Sequence, residues 1–254
     1  MELFDSLFDD EVLIWRPQTP VPAAVTEHLA LREAHESQLA TLVLPDRQLA
    51  QAARHIPTGV TIPVSVIVSG GAGGLLGLAR RDVPGVAIIS AEAGLRDFND
   101  LAGSAARVVS AATELGSDVA IFVELPYAPG WQAAIELVES AGLYAKIATG
   151  DAEPRQTAEQ LSVLIEADLS FKITSRLSYG CLALLAAVGA LIDGASIEDA
   201  ADLMHVNAED HISALITAWD QTMPARIRRR VRRLGSDRVR DMINDYAAQQ
   251  PGDR

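Results

Sequence analysis

Two hydrophobic periods take turns along most of this chain. Short apolar runs recur at Ala40–Leu44 (A-T-L-V-L), Thr61–Ser69, Gly85–Ala91, Asp118–Leu125, Tyr144–Ala148 and Ser170–Thr174. Each predicts a strand, and the β-branched residues of Thr61–Ser69 suit one packed on both faces. Glu11–Trp15 (E-V-L-I-W), closed by Arg16-Pro17, reads as a further strand at the start of the chain. Helical patterns fill the gaps: about Ala23–Gln38, a short helix to His55, an apolar helix ending at Arg81, then Asp97–Leu115, Gly130–Ser140 and Thr157–Ala167.

After the seventh strand the rhythm changes. Tyr179–Asp193 and Ser196–His205 both predict helices, with Ser196 as an N-cap and Asp199 three residues on. Ser213–Trp219 fits an eighth strand or more helix. Met223–Ala248 reads as a closing helical region, interrupted at Gly235, before a polar tail.

Strands alternating with helices imply parallel βαβ units. Seven or eight units predict an α/β fold, a (β/α)8-type barrel irregular after its seventh strand. The chain is expected to form one domain over residues 1–254, with Met223–Arg254 as a C-terminal helical extension and tail. The second architecture that fits is an open doubly wound sheet.

Composition narrows the function classes. The 254 residues are 49% hydrophobic, enough for a sizeable core, and the net charge of −13 argues against a nucleic-acid-binding body. The acidic N-terminus lacks the basic and apolar regions of a signal peptide. Cys181 is the only cysteine and sits in an apolar helical stretch, so a buried structural thiol in a reducing cytoplasm is expected. The longest apolar run, Cys181–Ile192, is too short to span a bilayer, so no membrane partner is expected. None of the five histidines falls in a metal-ligand pattern, and no metal or cofactor is implied.

The cations change the picture most. Of 21 basic residues only Lys146 and Lys172 are lysines, and both lie in predicted strands. Lysine is a compact amine whose pKa moves on burial, whereas arginine stays charged. In a barrel strand alternate residues face the interior. Ala145, Ile147, Phe171 and Ile173 suit the helix layer, which turns Lys146, Lys172 and Thr174 inward, and extends to Arg176. The same alternation puts Glu124 inward beside Ile121, Val123 and Leu125. Glu92 follows the fourth strand, and Ser69 ends the third.

Two carboxylates and two amines would thus gather at the carboxyl ends of four successive strands, where barrel enzymes build their sites. Three uses compete. Lys146 could form a Schiff base, with Lys172 holding its pKa down and Glu124 or Glu92 moving protons. The lysines could bind a phosphate or carboxylate without covalent chemistry. Or the four groups could be ion pairs plugging the barrel mouth. The S-G-G-A-G-G loop at Ser69–Gly74, with Ser69, Gly70 and Gly71, can offer backbone N–H groups to an anion, although a flexible turn explains it equally.

The lysine segments resemble those of deoxyribose-phosphate aldolase. Y-A-K-I-A-T-G matches the segment carrying that family's Schiff-base lysine, and S-F-K-I-T-S the one carrying the lysine that tunes it. The resemblance implies a metal-independent class I lyase acting on a small carbonyl or anionic substrate. In it Lys146 takes the first role and Lys172 the second. Two family glycines are Ser175 and Arg176 here, and Glu124 stands where a proton-transfer group is needed. The chain also resembles, more loosely but over most of its length, a group of bacterial barrel-type proteins of unassigned function. Their F-K-A-T-A-G-L-H-H strand becomes F-K-I-T-S-R-L-S-Y here. By that likeness the alternative is a silent barrel used in small-anion binding or assembly.

Arg226–Arg233 (R-I-R-R-R-V-R-R), with Arg238 and Arg240, holds 8 of the 19 arginines. A helix packed on acidic groups, in its own chain or in a second copy forming a homo-oligomer, is expected, ahead of RNA binding.

Overall fold

In the computed structural model, eight parallel strands close into a barrel in sequence order, β1 to β8. They are β1 Phe8–Asp10, β2 Leu39–Pro45, β3 Ile62–Val68, β4 Val86–Gly94, β5 Ala120–Glu124, β6 Tyr144–Ala148, β7 Phe171–Thr174 and β8 Val231–Ser236. The structure describes residues 3–149, 152–175, 180–205, 212, 215–216 and 218–249. Arg176, His211, Ser213, Ala214 and Thr217 lie outside them.

The outward rows of the strands carry small and branched apolar side chains. Ala91, Ala93, Ile121, Val123, Ala145, Ile147, Phe171 and Ile173 are all buried under the helices. Each large aliphatic side chain buried this way contributes about 1.5–3 kcal/mol. The alternation expected for β5, β6 and β7 is therefore the alternation found, and the open doubly wound sheet is ruled out by the closure of β8 onto β1.

The helix Cys181–Ile192 is buried on all sides through Gly189. It needs to be apolar all round because the helix Met223–Arg230 covers it from outside. A Cβ at Gly189 would stand 3.2 Å from Trp219 and 3.3 Å from Ile227, so the glycine lets that outer layer sit close. Cys181 is buried, as its context suggested. Ser196 caps the helix Ile197–Leu203 through a reciprocal capping box with Asp199. Among the described residues no helix is long and apolar enough to cross a membrane.

Two strands differ from expectation. E-V-L-I-W is not the first strand; Val12–Trp15 is a single helical turn, and β1 is the preceding F-D-D. Aspartate disfavours strands on propensity, but here each one has a buried partner. Asp9 accepts from Thr41 Oγ1 at 2.6 Å, and Asp10 lies 3.1 Å from His28 Nδ1. The eighth strand is neither Ser213–Trp219 nor absent: it is V-R-R-L-G-S, cut out of the region expected to be helix.

The arginine run is consequently split between a helix and a strand. Arg226 pairs with Asp193 at 2.6 Å, and Arg229 and Arg230 both pair with Asp168. Arg232 stacks over the Tyr144 ring at 5.3 Å. Arg228 is buried and donates to the carbonyls of Val231 and Asp5 at 2.9 and 3.0 Å. Burial, with Arg233 and Arg232 adding to it, pushes its guanidinium down to about 10. The run thus finds acidic groups within its own chain.

Candidate functional site: a carboxylate cage around two lysines

The barrel interior is polar where β1, β4, β6, β7 and β8 meet. Barrel lumens are usually filled by layers of branched apolar side chains. Here Lys146 and Lys172 stand side by side in register, and Arg233 lies beside Lys172.

Lys172 is fully enclosed. Its Nζ lies 2.8 Å from Asp9 Oδ2, 2.9 Å from Glu11 Oε1 and 2.6 Å from Glu92 Oε1. An ammonium has three protons, and three carboxylates take them. Glu92 then spans the two amines, since its Oε2 is 2.8 Å from Lys146 Nζ. Lys146 also reaches Glu124 Oε2 at 3.1 Å. Glu124 is the solvent-side member: its side chain is 46% exposed, against 5% for Lys146 and 0% for Lys172. The cluster therefore runs from a sealed interior to the barrel mouth in the order Lys172, Glu92, Lys146, Glu124.

The charges settle each other. Burial alone would pull both amines down, but the surrounding carboxylates outweigh it. Lys172 ends well above the usual lysine range because of Asp9, Glu11 and Glu92. Lys146 is likewise raised, by Glu92, Glu124 and Glu11 in that order. The expectation that Lys172 would hold Lys146 down is thus corrected: its charge does act in that sense, but three carboxylates overrule it. Glu92 shows the reciprocal effect. Burial pushes its carboxyl up, and Lys146 and Lys172 together bring it to about 2.

Glu11 behaves differently. Burial raises its carboxyl, the Glu92 anion adds to this, and the lysines only partly offset it. Its Oε1 accepts from Thr174 Oγ1 at 3.1 Å and its Oε2 from Trp15 Nε1 at 2.8 Å. Thr174, expected in the substrate pocket, thus faces inward but is engaged with Glu11. Room for the Glu11 carboxylate comes from Gly235 on β8, where an added Cβ would overlap Oε1. The carboxylate is fully buried and held by three partners, so it cannot swing aside freely. Gly235→Ala is expected to destabilise the fold by about 1–3 kcal/mol. A urea melt checks it, and an unchanged midpoint would mean that the cage tolerates displacement of Glu11.

Asp9 and Glu11 were not anticipated from sequence. The available signal was electrostatic: two buried amines need more counter-charge than two carboxylates, and F-D-D-E offers acids inside an apolar stretch. Ser69 directly follows β3 instead of ending it, and its N–H and hydroxyl donate to Asp46 at 3.1 and 3.0 Å. Gly70 and Gly71 lie apart from the lysines, lining a cavity between the loops after β3 and β4. Among the described residues no group of His, Cys, Asp or Glu is arranged to hold a metal ion.

Compared with family models, with curated proteins and with solved structures, the chain finds no match. The likeness to deoxyribose-phosphate aldolase accordingly rests on the two lysine strands, and what stands independently is a closed eight-stranded parallel barrel with alternating helices.

Proposed function

We propose that the barrel mouth is the active site of a metal-independent lyase in which Lys146 forms a Schiff base with a small carbonyl substrate. The observation that carries this is the asymmetry between the amines. Lys172 has every proton taken by a buried carboxylate. Lys146 is ion-paired with two, and one of them is the solvent-exposed Glu124.

An ammonium cannot attack a carbonyl, so one proton must leave first. Glu124, 3.1 Å from Lys146 Nζ, would take it and pass it to water. The free Nζ then adds to the carbonyl carbon, whose oxygen takes up a proton. A second proton lets that oxygen leave as water, and the resulting iminium takes up the electron pair of the Cα–Cβ bond to become an enamine, while a β-hydroxyl gives up its proton and departs as the carbonyl of the second product. Glu92 would remain anionic between Lys146 and Lys172, stabilising the iminium.

The contrasting proposal is a silent barrel whose charges only plug the lumen. It is favoured by the raised pKa of both amines. Borohydride trapping separates the two. With a panel of short aldehydes and ketones, intact mass should show one reduced adduct, absent from Lys146→Arg. No adduct with any of them would leave the silent barrel standing.

A further inference from the structure

We infer that the cavity at the carboxyl ends of β1 and β8 binds a free aliphatic α-amino acid. The inference is independent of any reaction at Lys146.

The cavity is about 260 Å³. Its lining comes from two parts of the chain that differ in charge. β1 ends in Asp10, and the helix Val21–Ala34 adds Glu27, so this part contributes only acids. The helix Val239–Gln249 contributes Arg240. The other charged groups around the cavity are already matched. Arg16 pairs with Asp237 at 2.7 Å, and Arg238 pairs with Asp241 at 2.9 Å. Glu27 and Arg240 have no ion pair among the described residues.

Asp10 is the fixed point of the site. Its side chain is only 9% exposed. The Val12 N–H donates to Oδ1 at 3.2 Å, and the fully buried His28 holds Oδ2 through Nδ1 at 3.1 Å. An ionised carboxylate has about four acceptor positions, so this one keeps capacity for a donor in the cavity. With Glu27 beside it in the lining, and no lysine or arginine paired to either, it suits an ammonium. Arg240 suits a carboxylate, which a guanidinium grips with two N–H groups.

The apolar lining narrows the class. Val12, Leu31 and Val239 border the same cavity and are otherwise buried. They offer an aliphatic side chain a surface away from water. An alkylamine would leave Arg240 unmatched, and a fatty acid would leave Asp10 and Glu27 unmatched. A small molecule with ammonium, carboxylate and aliphatic group together is an aliphatic amino acid.

Calorimetry on the full-length protein tests this. L-Alanine, L-valine and L-leucine are titrated separately, with isocaproate and isoamylamine as leucine analogues lacking the amine and the carboxylate. Saturable binding of at least one amino acid is expected, with leucine about tenfold or more tighter than either analogue. Glu27→Gln and Arg240→Gln should each weaken it about threefold. Arg54→Gln, which removes an exposed charge outside the cavity, should leave it unchanged. The inference is overturned by no saturable binding of any of the three amino acids, or by isocaproate or isoamylamine binding as tightly as leucine. It is equally overturned if both cavity variants bind like the parent, or if Arg54→Gln weakens binding as much as they do.

Discussion

Lys172→Met is expected to cost about 3–5 kcal/mol of stability at neutral pH, the range for removing one partner of a buried ion pair. The substitution keeps most of the side-chain volume and takes away one charge. It leaves Asp9, Glu11 and Glu92 facing one another in a sealed space. Against a total of about 5–15 kcal/mol for a typical domain, that is a large share.

The pH dependence identifies the cause. In the parent, the Glu92 pKa is depressed from 4.5 to about 2. Its contribution is therefore present above pH 4.5 and lost as pH falls towards about 2. In the variant Glu11 loses the Lys172 ammonium that partly offsets its burial, so its carboxyl rises further above the unfolded value, and Glu92 is left with Lys146 alone. The folded state then binds the extra protons, and stability increases as pH falls. The gap between the two proteins should shrink steadily below about pH 5. Urea melts from neutral to acidic pH read this out, and a variant that folds only in acid gives the same answer. A gap that stays constant with pH would mean that lost packing, not unpaired charge, is responsible.

The second large effect concerns Lys146, where adduct formation should be all or none. Lys146→Arg keeps a cation between Glu92 and Glu124 but cannot form an imine, so trapping should vanish while the fold survives. In the parent, the Lys146 pKa lies above the ordinary lysine value of 10.5. The free-amine fraction is then small at neutral pH and grows about tenfold per pH unit. Trapping rates should rise across the alkaline range without reaching a plateau while the protein stays folded. A plateau near neutral pH would show a depressed amine and contradict the caged state. An adduct that persists in Lys146→Arg would move the reaction to Lys172.

How legible this was in the chain depended on where the charges fell. Strands β2 to β7 follow from apolar runs, and the inward aim of Lys146 and Lys172 from the apolar partners that flank them. β1 and β8 were hidden because their inward residues are ionised: Asp9 in F-D-D and Arg233 in V-R-R-L. Propensity treats such residues as loop or helix, and only the partners across the barrel make them strands. The upward shift of both lysines is hidden in the sequence for the same reason. Alternation places two amines together but does not reveal that Asp9 and Glu11, joining Glu92 and Glu124 from the far end of the chain, make the carboxylates outnumber them.

The presence of just two lysines gives the most direct test of the cage. Protein labelled with ¹⁵N-lysine should show two side-chain ammonium resonances at neutral pH. Both should persist to about pH 10, past the point where an exposed lysine begins to titrate. The Lys172 protons should exchange with water more slowly than those of Lys146. A nitrogen losing its proton below about pH 9, or two that exchange as fast as free lysine, would contradict the caged pair.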